Sequence, residues 1–197
     1  MSSWPPTVSL EGDHVRLVPL AREHEVELAD AVCDGDIHRL WYTSVPTPEN
    51  VGAEIDRRLA LREAGSMLPF AVLMPDGRAV GMTTYMDVDE ANRRVEIGST
   101  WYARSVQRTP LNTEAKLLLL AHAFDVLDCI VVDLRTHAMN LQSRRAIERL
   151  GAKLDSVLRA RAVLYNGTIR DTAAYSITAY EWPAVRANLE WQLEKPR

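Results

Sequence analysis

The stretch of residues 95–128 constrains the fold of this chain more than any other. β-Branched and aromatic residues run up to Tyr102, a composition typical of a strand. From Leu117 onward, apolar residues recur at three- and four-residue spacings, which predicts a long amphipathic helix. The polar turn between them therefore directs the first N–H groups of the helix, and the positive end of its dipole, at whatever lies over the turn. This arrangement predicts a bound anion, most simply a phosphate.

Composition limits the class of protein. A chain of 197 residues with 47% apolar residues predicts a single domain over residues 1–197, with an irregular lead-in over residues 1–11 and a C-terminal helix over residues 182–194. A net charge of −4 argues against nucleic acid as a partner. There is no apolar run near 18 residues and no charged-then-apolar leader, so the sequence predicts neither a membrane span nor a secretory signal. We expect a cytoplasmic protein.

The cysteines and histidines give no sign of a metal site. Cys33 and Cys129 lie far apart, without CxxC spacing, and Cys129 lies in an apolar run that favours a buried thiol. The five histidines show no spacing typical of metal ligands. We therefore predict neither a disulfide framework nor a bound metal.

The order of elements predicts a mixed α/β fold with helices on both faces of the sheet. Asn166-Gly167 is the strongest short hairpin signal in the chain. The predicted strands are residues 14–19, 70–74, 79–86, 94–102, 130–136, 154–165 and 168–179, and the predicted helices are residues 22–32, 48–64, a long helix after the polar turn, 140–150 and one from residue 182.

Three motifs resemble those of the GNAT acetyltransferases, and most closely the Rim-type branch, which acetylates ribosomal-protein amino termini and includes many small-molecule relatives. The motifs are Glu96-Ile97-Gly98, Gln107-Arg108-Thr109-Pro110-Leu111-Asn112 and Asn140-Leu141-Gln142-Ser143. The resemblance extends from Val15 to about Leu193. It implies a twisted sheet splayed between its fourth and fifth strands, here residues 94–102 and 130–137, with acetyl-CoA in the gap.

One departure from the family pattern falls at the turn. The two positions that are usually small are Pro110 and Asn112 here. Glycine allows the backbone to approach a pyrophosphate closely, whereas proline also lacks an N–H to donate. We expect a reshaped or weakened phosphate site.

The resemblance implies a set of cofactor contacts. The pantetheine arm would pair with the strand end, the pyrophosphate would lie on the turn, and Asn140 would bind the amides of the arm, cap the next helix, or do both. Arg104, Arg108 and Lys116 would add local positive charge. The cofactor-binding residues predicted in this way are Trp101, Tyr102, Ala103, Gln107, Arg108, Thr109, Leu111, Asn112, Thr113 and Asn140.

Two residues are predicted to be catalytic. Glu96 matches the acidic residue of the Rim-type branch and would act as a general base through water; the alternative is a strand glutamate that pairs with Arg93 or Arg94 or faces solvent. Ser143 lies on the same helix face as Asn140 and would hydrogen-bond or protonate the departing thiolate, unless it is a surface serine. Tyr165 and Tyr175 are the alternative candidates for the acid that protonates the thiolate.

The acceptor is the least specified part of the prediction. We expect a primary amine of a small molecule or of a peptide amino terminus, in a pocket formed by Trp41, Tyr42, Met67 and residues 159–165. The alternative is a non-catalytic acyl-CoA-binding or interaction domain that retained the fold. Trp191 beside the apolar stripe of the last helix is a candidate for a homodimer contact.

Overall fold

The computed structural model describes residues 4–195. The strands of this part are β1 Leu10–Glu11, β2 Arg16–Pro19, β3 Met67–Leu73, β4 Ala79–Asp89, β5 Arg94–Tyr102, β6 Val131–His137, β7 Lys153–Val163 and β8 Ile169–Thr178. The α-helices are α1 Glu25–Cys33, α2 Val51–Glu63, α3 Pro110–Ala121, α4 Leu141–Leu150 and α5 Trp182–Glu194. Single 3-10 turns precede α1 and α2, and a π-helical turn, His122–Val126, continues α3.

The strands form one mixed sheet in the order β1-β2-β3-β4-β5-β6-β8-β7. All neighbouring pairs are antiparallel except β5 and β6, which are parallel and pair at only three positions, Arg94 with Val131, Val95 with Val132, and Glu96 with Asp133. Beyond Glu96 the two strands separate. They are the fourth and fifth strands of the prediction, which began its count at β2, so the predicted splayed α/β sheet is confirmed.

The predicted irregular lead-in contains regular structure at its end. Leu10–Glu11 forms β1 and pairs with β2, while residues 1–3 of the lead-in lie outside the described residues. The Glu114 carboxylate accepts hydrogen bonds from the Asp13 N–H at 3.0 Å and the His14 N–H at 2.6 Å. A long-range contact from α3 therefore holds the turn between β1 and β2.

The two hairpins have the glycines that their turns require. Gly77, between β3 and β4, has a φ of 93°, and Gly167, between β7 and β8, has a φ of 79°. The Met74 N–H donates to the Arg78 carbonyl, and the Leu164 N–H donates in the same way to the Thr168 carbonyl, each at 2.9 Å. Both connections are three-residue loops that end with glycine in the left-handed region.

Helices cover both faces of the sheet, as predicted. Arg58 of α2 donates to the Thr84 hydroxyl at 2.8 Å, whereas Lys116 of α3 reaches the neighbouring Thr83 hydroxyl at 3.4 Å. Because adjacent residues of a strand point to opposite faces, α2 and α3 lie on opposite sides of β4. Within residues 4–195, no helix is both long enough and apolar enough to cross a membrane.

Candidate active site

Glu96 lies at the point where the sheet divides. It is the last residue of β5 that pairs with β6, opposite Asp133, and only 5% of its surface is exposed. Val95 and Ile97 are buried in the core, and the alternation of a strand turns the Glu96 side chain away from both. The position predicted to hold a base is therefore a buried carboxylate at the closed end of the gap.

The surroundings of Glu96 bring its pKa close to neutrality. Burial raises the pKa to about 7, the Arg135 charge opposes this rise, and the nearby Asp87 and Asp133 charges add to it. Arg135 Nη1 is 3.0 Å from Glu96 Oε2 and 2.7 Å from Asp87 Oδ2. Glu96 Oε2 accepts no hydrogen bond from any residue between 4 and 195, so its contact with Arg135 is an ion pair without hydrogen-bond geometry.

The alternative that Glu96 pairs with a neighbouring arginine of its own strand is wrong. Arg94 pairs with Asp133 at 2.5 Å and Arg93 pairs with the exposed Asp128. The ion-pair partner of Glu96 is Arg135, which β6 places beside it. Arg135 was not among the predicted site residues, although its place two residues after Asp133 in a strand puts both side chains on one face.

A cavity of about 330 Å³ opens beside Glu96. Strands β4, β5, β6, β7 and β8 all contribute to its wall, which carries three arginines and two carboxylates. Its lining residues are Met86, Asp87, Glu96, Arg135, Arg161, Ala162, Arg170 and Thr172. Of the predicted acceptor pocket, Arg161 and Ala162 are therefore present, while Met67 is a buried residue of β3 and does not line this cavity.

The predicted aromatic pair Trp41-Tyr42 packs around a histidine at the end of β6. The ring centroids of Trp41 and Tyr42 lie 5.3 Å and 6.3 Å from that of His137. His137 Nδ1 accepts the Met139 N–H at 3.0 Å, so Nε2 carries the proton, and this buried N–H has no partner within residues 4–195. His137 pairs directly with the cavity residue Thr172, which places it near the cavity. No sequence pattern had marked this histidine for a role in the site.

The end of β5 presents buried donors without partners. Trp101 Nε1 and the Tyr102 hydroxyl are both buried and unpaired among the described residues, and burial raises the pKa of Tyr102. The Ala103 N–H, in contrast, donates to the Val80 carbonyl at 2.8 Å. Of the predicted pantetheine contacts, the Ala103 N–H is therefore already occupied by β4.

Gln107 joins the two sides of the gap. Its Nε2 donates to the Tyr102 carbonyl at 3.0 Å, and its Oε1 accepts from Gln142 Nε2 of α4 at 3.3 Å. The next residue, Arg108, has a φ of 63°, which gives the turn its sharp bend. Thr109 is the N-cap of α3, with its hydroxyl 3.3 Å from the Leu111 nitrogen.

The start of α3 has fewer free donors than the helix dipole suggests. Pro110 is the first helical residue and has no N–H, and Thr109 already caps the N–H of Leu111. The Thr113 hydroxyl accepts from Arg149 Nη2 at 3.3 Å and is 2% exposed, so it lies away from the surface of the turn. Asn112 remains half-buried in the first turn of the helix. The first turn of α3 therefore offers few free N–H donors, and a reshaped phosphate site on it stays a prediction.

Lys116 does not add positive charge at the turn, and that expectation is wrong. Its Nζ is buried between the Thr100 hydroxyl at 3.2 Å and the Thr83 hydroxyl at 3.4 Å. Burial lowers its pKa to about 7. The helical period carries Lys116 to the inner face of α3, so it contacts the sheet.

Asn140 and Ser143 lie together at the start of α4. Asn140 is the N-cap, and its Oδ1 accepts the Ser143 N–H at 3.0 Å. Asn140 is 8% exposed, and the half-buried Ser143 hydroxyl makes no hydrogen bond with the described residues. The capping role of Asn140 is thus established, and the Ser143 hydroxyl is available for another contact.

Neither alternative candidate for the acid is placed in the gap. Tyr165 lies in the β7–β8 turn and is 74% exposed. Tyr175 is buried on the other face of β8, where its hydroxyl donates to Glu148 Oε1 at 2.8 Å and accepts from Arg144 Nε at 2.9 Å. The sequence placed both tyrosines on the hairpin but did not show which face each one occupies.

Comparisons with known proteins agree with this geometry. The family model described as an acetyltransferase (GNAT) domain matches residues 14–153. YdaF of Bacillus subtilis (strain 168), named as a candidate ribosomal N-acetyltransferase, is 34% identical over 113 residues, which are 57% of this chain and 60% of YdaF. The chain thus matches less than two thirds of that relative's length.

Solved structures match nearly the whole chain. A GCN5-related N-acetyltransferase from Brucella melitensis has a TM-score of 0.86 and 32% identity, covering 96% of this chain and 86% of that one. A candidate acetyltransferase from T. thermophilus has a TM-score of 0.85 and 33% identity, covering 96% and 99%. The chain therefore belongs to the GNAT acetyltransferases, a family of acetyl-CoA-dependent N-acetyltransferases.

Proposed function

We propose that the protein acetylates a primary amine, of a peptide amino terminus or of a small molecule, with Glu96 as the general base. The observation that carries this proposal is a buried carboxylate with a pKa of about 7 that lines a cavity at the closed end of the gap. A base is most effective when its pKa lies near the working pH, because it is then unprotonated and still accepts a proton readily.

The site fits an acyl-CoA in three respects. Beyond Glu96, β5 has no strand partner on the β6 side among residues 4–195, so its edge is open to a peptide-like chain. Trp101 Nε1 and the Tyr102 hydroxyl are buried donors that lack acceptors within residues 4–195. The first turn of α3, even with Pro110, leaves the backbone of Asn112 and the positive end of the helix dipole for the phosphates.

Glu96 and Ser143 act at different steps of the acetyl transfer. Bound acetyl-CoA supplies the acyl carbon as an activated thioester. Glu96 takes one proton from the substrate ammonium, directly or through water, and passes it to solvent. A C–N bond then forms while the C–S bond breaks, and the second amine proton accompanies the departing sulfur as a thiol. Ser143, whose hydroxyl is uncommitted, donates a hydrogen bond to that sulfur.

A peptide amino terminus is the better supported of the two acceptors. The name of YdaF assigns that relative to ribosomal N-acetylation. The cavity wall also includes exposed residues of β7, such as Arg161, so it opens towards the surface. An open wall leaves room for the remainder of a peptide beyond the reacting residue.

Calorimetric titration with acetyl-CoA, followed by thiol release with a panel of peptides and small amines, tests the function. We expect binding in the micromolar range and turnover with at least one amine. Binding without turnover of any amine would support the non-catalytic alternative, and absence of binding near 1 mM would contradict both.

A homodimer and a cytoplasmic location are part of the proposal. Strand β7 ends the sheet and is exposed along its length, with apolar residues such as Leu154 and Val157, and Trp191 of α5 is 59% exposed. Apolar edge strands favour pairing with another chain. Sedimentation should show a dimer that Val157→Lys disrupts and that Val26→Lys, at an exposed position of α1, leaves intact. A wild-type monomer at about 100 μM would contradict this.

A further inference from the structure

Strand β7 is distorted where it approaches the Glu96 cavity. Its register against β8 shifts between Leu158 and Ala162, and Ala160 within the shifted part has a φ of 51°. A left-handed conformation is unfavourable for an alanine, whose Cβ approaches the following carbonyl oxygen. The Asp171 carboxylate maintains it by accepting the Ala160 N–H at 2.7 Å. Such bulges change the direction of a side chain, and strained backbone held by its neighbours indicates a function.

The side chain that follows the strained residue is Arg161, which lines the cavity together with Arg170 of β8. Arg170 is half-buried and its Nε donates to the Thr172 hydroxyl at 3.0 Å. Within the part of the chain that the structure describes, neither Arg161 nor Arg170 forms an ion pair. The third arginine of the wall, Arg135, is already paired with Asp87 and Glu96.

The cavity therefore offers two kinds of charge. Asp87 and Glu96 favour an ammonium group, whereas Arg161 and Arg170 favour an anion. Guanidinium groups bind carboxylates and phosphates through paired hydrogen bonds, and such contacts are about twice as strong as neutral ones. A volume of about 330 Å³ is near the lower end of the range for ligand sites, so both groups of a ligand must lie within a few bonds of each other.

We propose, on the basis of the amine acetylation above, that the acceptor carries a carboxylate or phosphate close to its reacting amine, and that Arg161 and Arg170 bind this anionic group. The amine then faces Glu96. Anchoring the far end of the acceptor positions the amine for transfer, so the arginines determine specificity and Glu96 performs the chemistry.

Matched ligand pairs test this inference by binding, without the need for turnover. The first pair consists of peptides whose sequences begin with Ala-Asp and Ala-Asn, and the second consists of 2-aminoethyl phosphate and ethanolamine. Each ligand would be titrated into the protein with and without coenzyme A. Wild type should bind the anionic member of at least one pair about tenfold more tightly, as expected for one charge-assisted contact. The pair that shows the preference identifies the peptide or the small molecule as the source of the anion.

Variants connect the preference to the two arginines. For the Arg161→Gln/Arg170→Gln double variant, the Kd values of the two members of each pair should agree within about twofold. The single variant Arg161→Gln should reduce the preference for the anionic member by at least about threefold, because it removes part of the same contact. Arg159→Gln is the matched control, because Arg159 lies on the same strand but does not line the cavity. Circular dichroism would verify the fold of the double variant.

Two results would overturn the inference. One is equal binding of the charged and neutral members by wild type, and the other is a preference that persists in the double variant. Turnover separates this outcome from failure of the proposed function. If the arginines bind the anionic ligands but no ligand is acetylated, the proposed acetylation of these amines is contradicted. If ligands are acetylated but wild type shows no preference for the anionic member of a pair, only the role of the arginines is contradicted.

Discussion

Arg135 Nη1 lies 3.0 Å from Glu96 Oε2, and its charge opposes the rise in the pKa of Glu96 that burial causes. Burial raises the pKa of Glu96 to about 7, and the Arg135 charge is the largest influence that opposes the rise. Asp87, which shares the same nitrogen of Arg135, acts in the opposite direction. Glu96 is therefore adjusted by its neighbours to exchange protons near neutral pH.

Arg135→Met should move the working range of the enzyme to higher pH. Without the arginine, the pKa of Glu96 rises above about 7, because burial, Asp87 and Asp133 still disfavour its charged form. We expect the acidic limb of the profile of kcat/KM against pH to shift upward by about one unit, with activity at pH 7 reduced about fivefold and largely recovered near pH 9.

The control for this change is Arg93→Gln. Arg93 pairs with the exposed Asp128 and is not among the main influences on the pKa of Glu96. Its acidic limb should coincide with that of wild type. If the Arg135 variant also kept the wild-type limb, Arg135 would have no part in adjusting Glu96.

Pro110→Gly should strengthen the binding of acetyl-CoA. The substitution restores an N–H in the first turn of α3, and a hydrogen bond to a charged phosphate contributes about 1.5 kcal/mol or more, which corresponds to roughly tenfold in Kd. The added backbone freedom should lower the free energy of unfolding by about 0.5 to 1 kcal/mol.

Titration calorimetry and chemical denaturation measure these two effects. Pro183→Gly changes a proline in the first turn of another helix, α5, and should lower stability without altering the Kd for acetyl-CoA. Unchanged or weaker binding by Pro110→Gly would show that the phosphates do not rest on this turn.

Lys116→Met should stabilise the protein most at low pH. Burial lowers the pKa of Lys116 from 10.5 to about 7, so the folded state favours the neutral amine. The stability that this preference provides is present above pH 10.5 and is lost as the pH falls through about 7. The free energy of unfolding of wild type should thus fall by about 2 to 3 kcal/mol between pH 9 and pH 6 because of this group. The methionine variant should not show this loss.

Denaturant unfolding at the two pH values tests the role of Lys116. The variant should keep kcat within about twofold, because Lys116 contacts Thr83 and Thr100 rather than the turn. A large loss of acetyl-CoA binding in this variant would instead restore the lysine to the cofactor site.

The parts of the fold that depend on local sequence could be predicted. Gly77 and Gly167 set the two hairpins, and Asn140 and Gly151 mark the ends of α4, because caps and turns need particular side chains or particular backbone angles. The splay of the sheet came from resemblance alone, since no local pattern shows where two parallel strands stop pairing.

The parts of the site that depend on contacts distant in sequence could not be predicted in the same way. Glu96 was found as a strand carboxylate, but its pKa depends on Arg135, which is 39 residues away and reaches it only through the β5–β6 pairing. The direction of Arg161 depends on a bulge held by Asp171 of the next strand. Lys116 was misplaced because its sequence position near the turn did not reveal which helix face is buried.

The most direct test is the pH dependence of kcat/KM for wild type and Glu96→Gln, with acetyl-CoA and an amino-terminal peptide that wild type acetylates. Wild type should show an acidic limb with a pKa near 7, and Glu96→Gln should lose that limb and about 10² to 10³ in rate. A Glu96→Gln enzyme with an unchanged rate and an unchanged profile would contradict the assignment of Glu96 as the base.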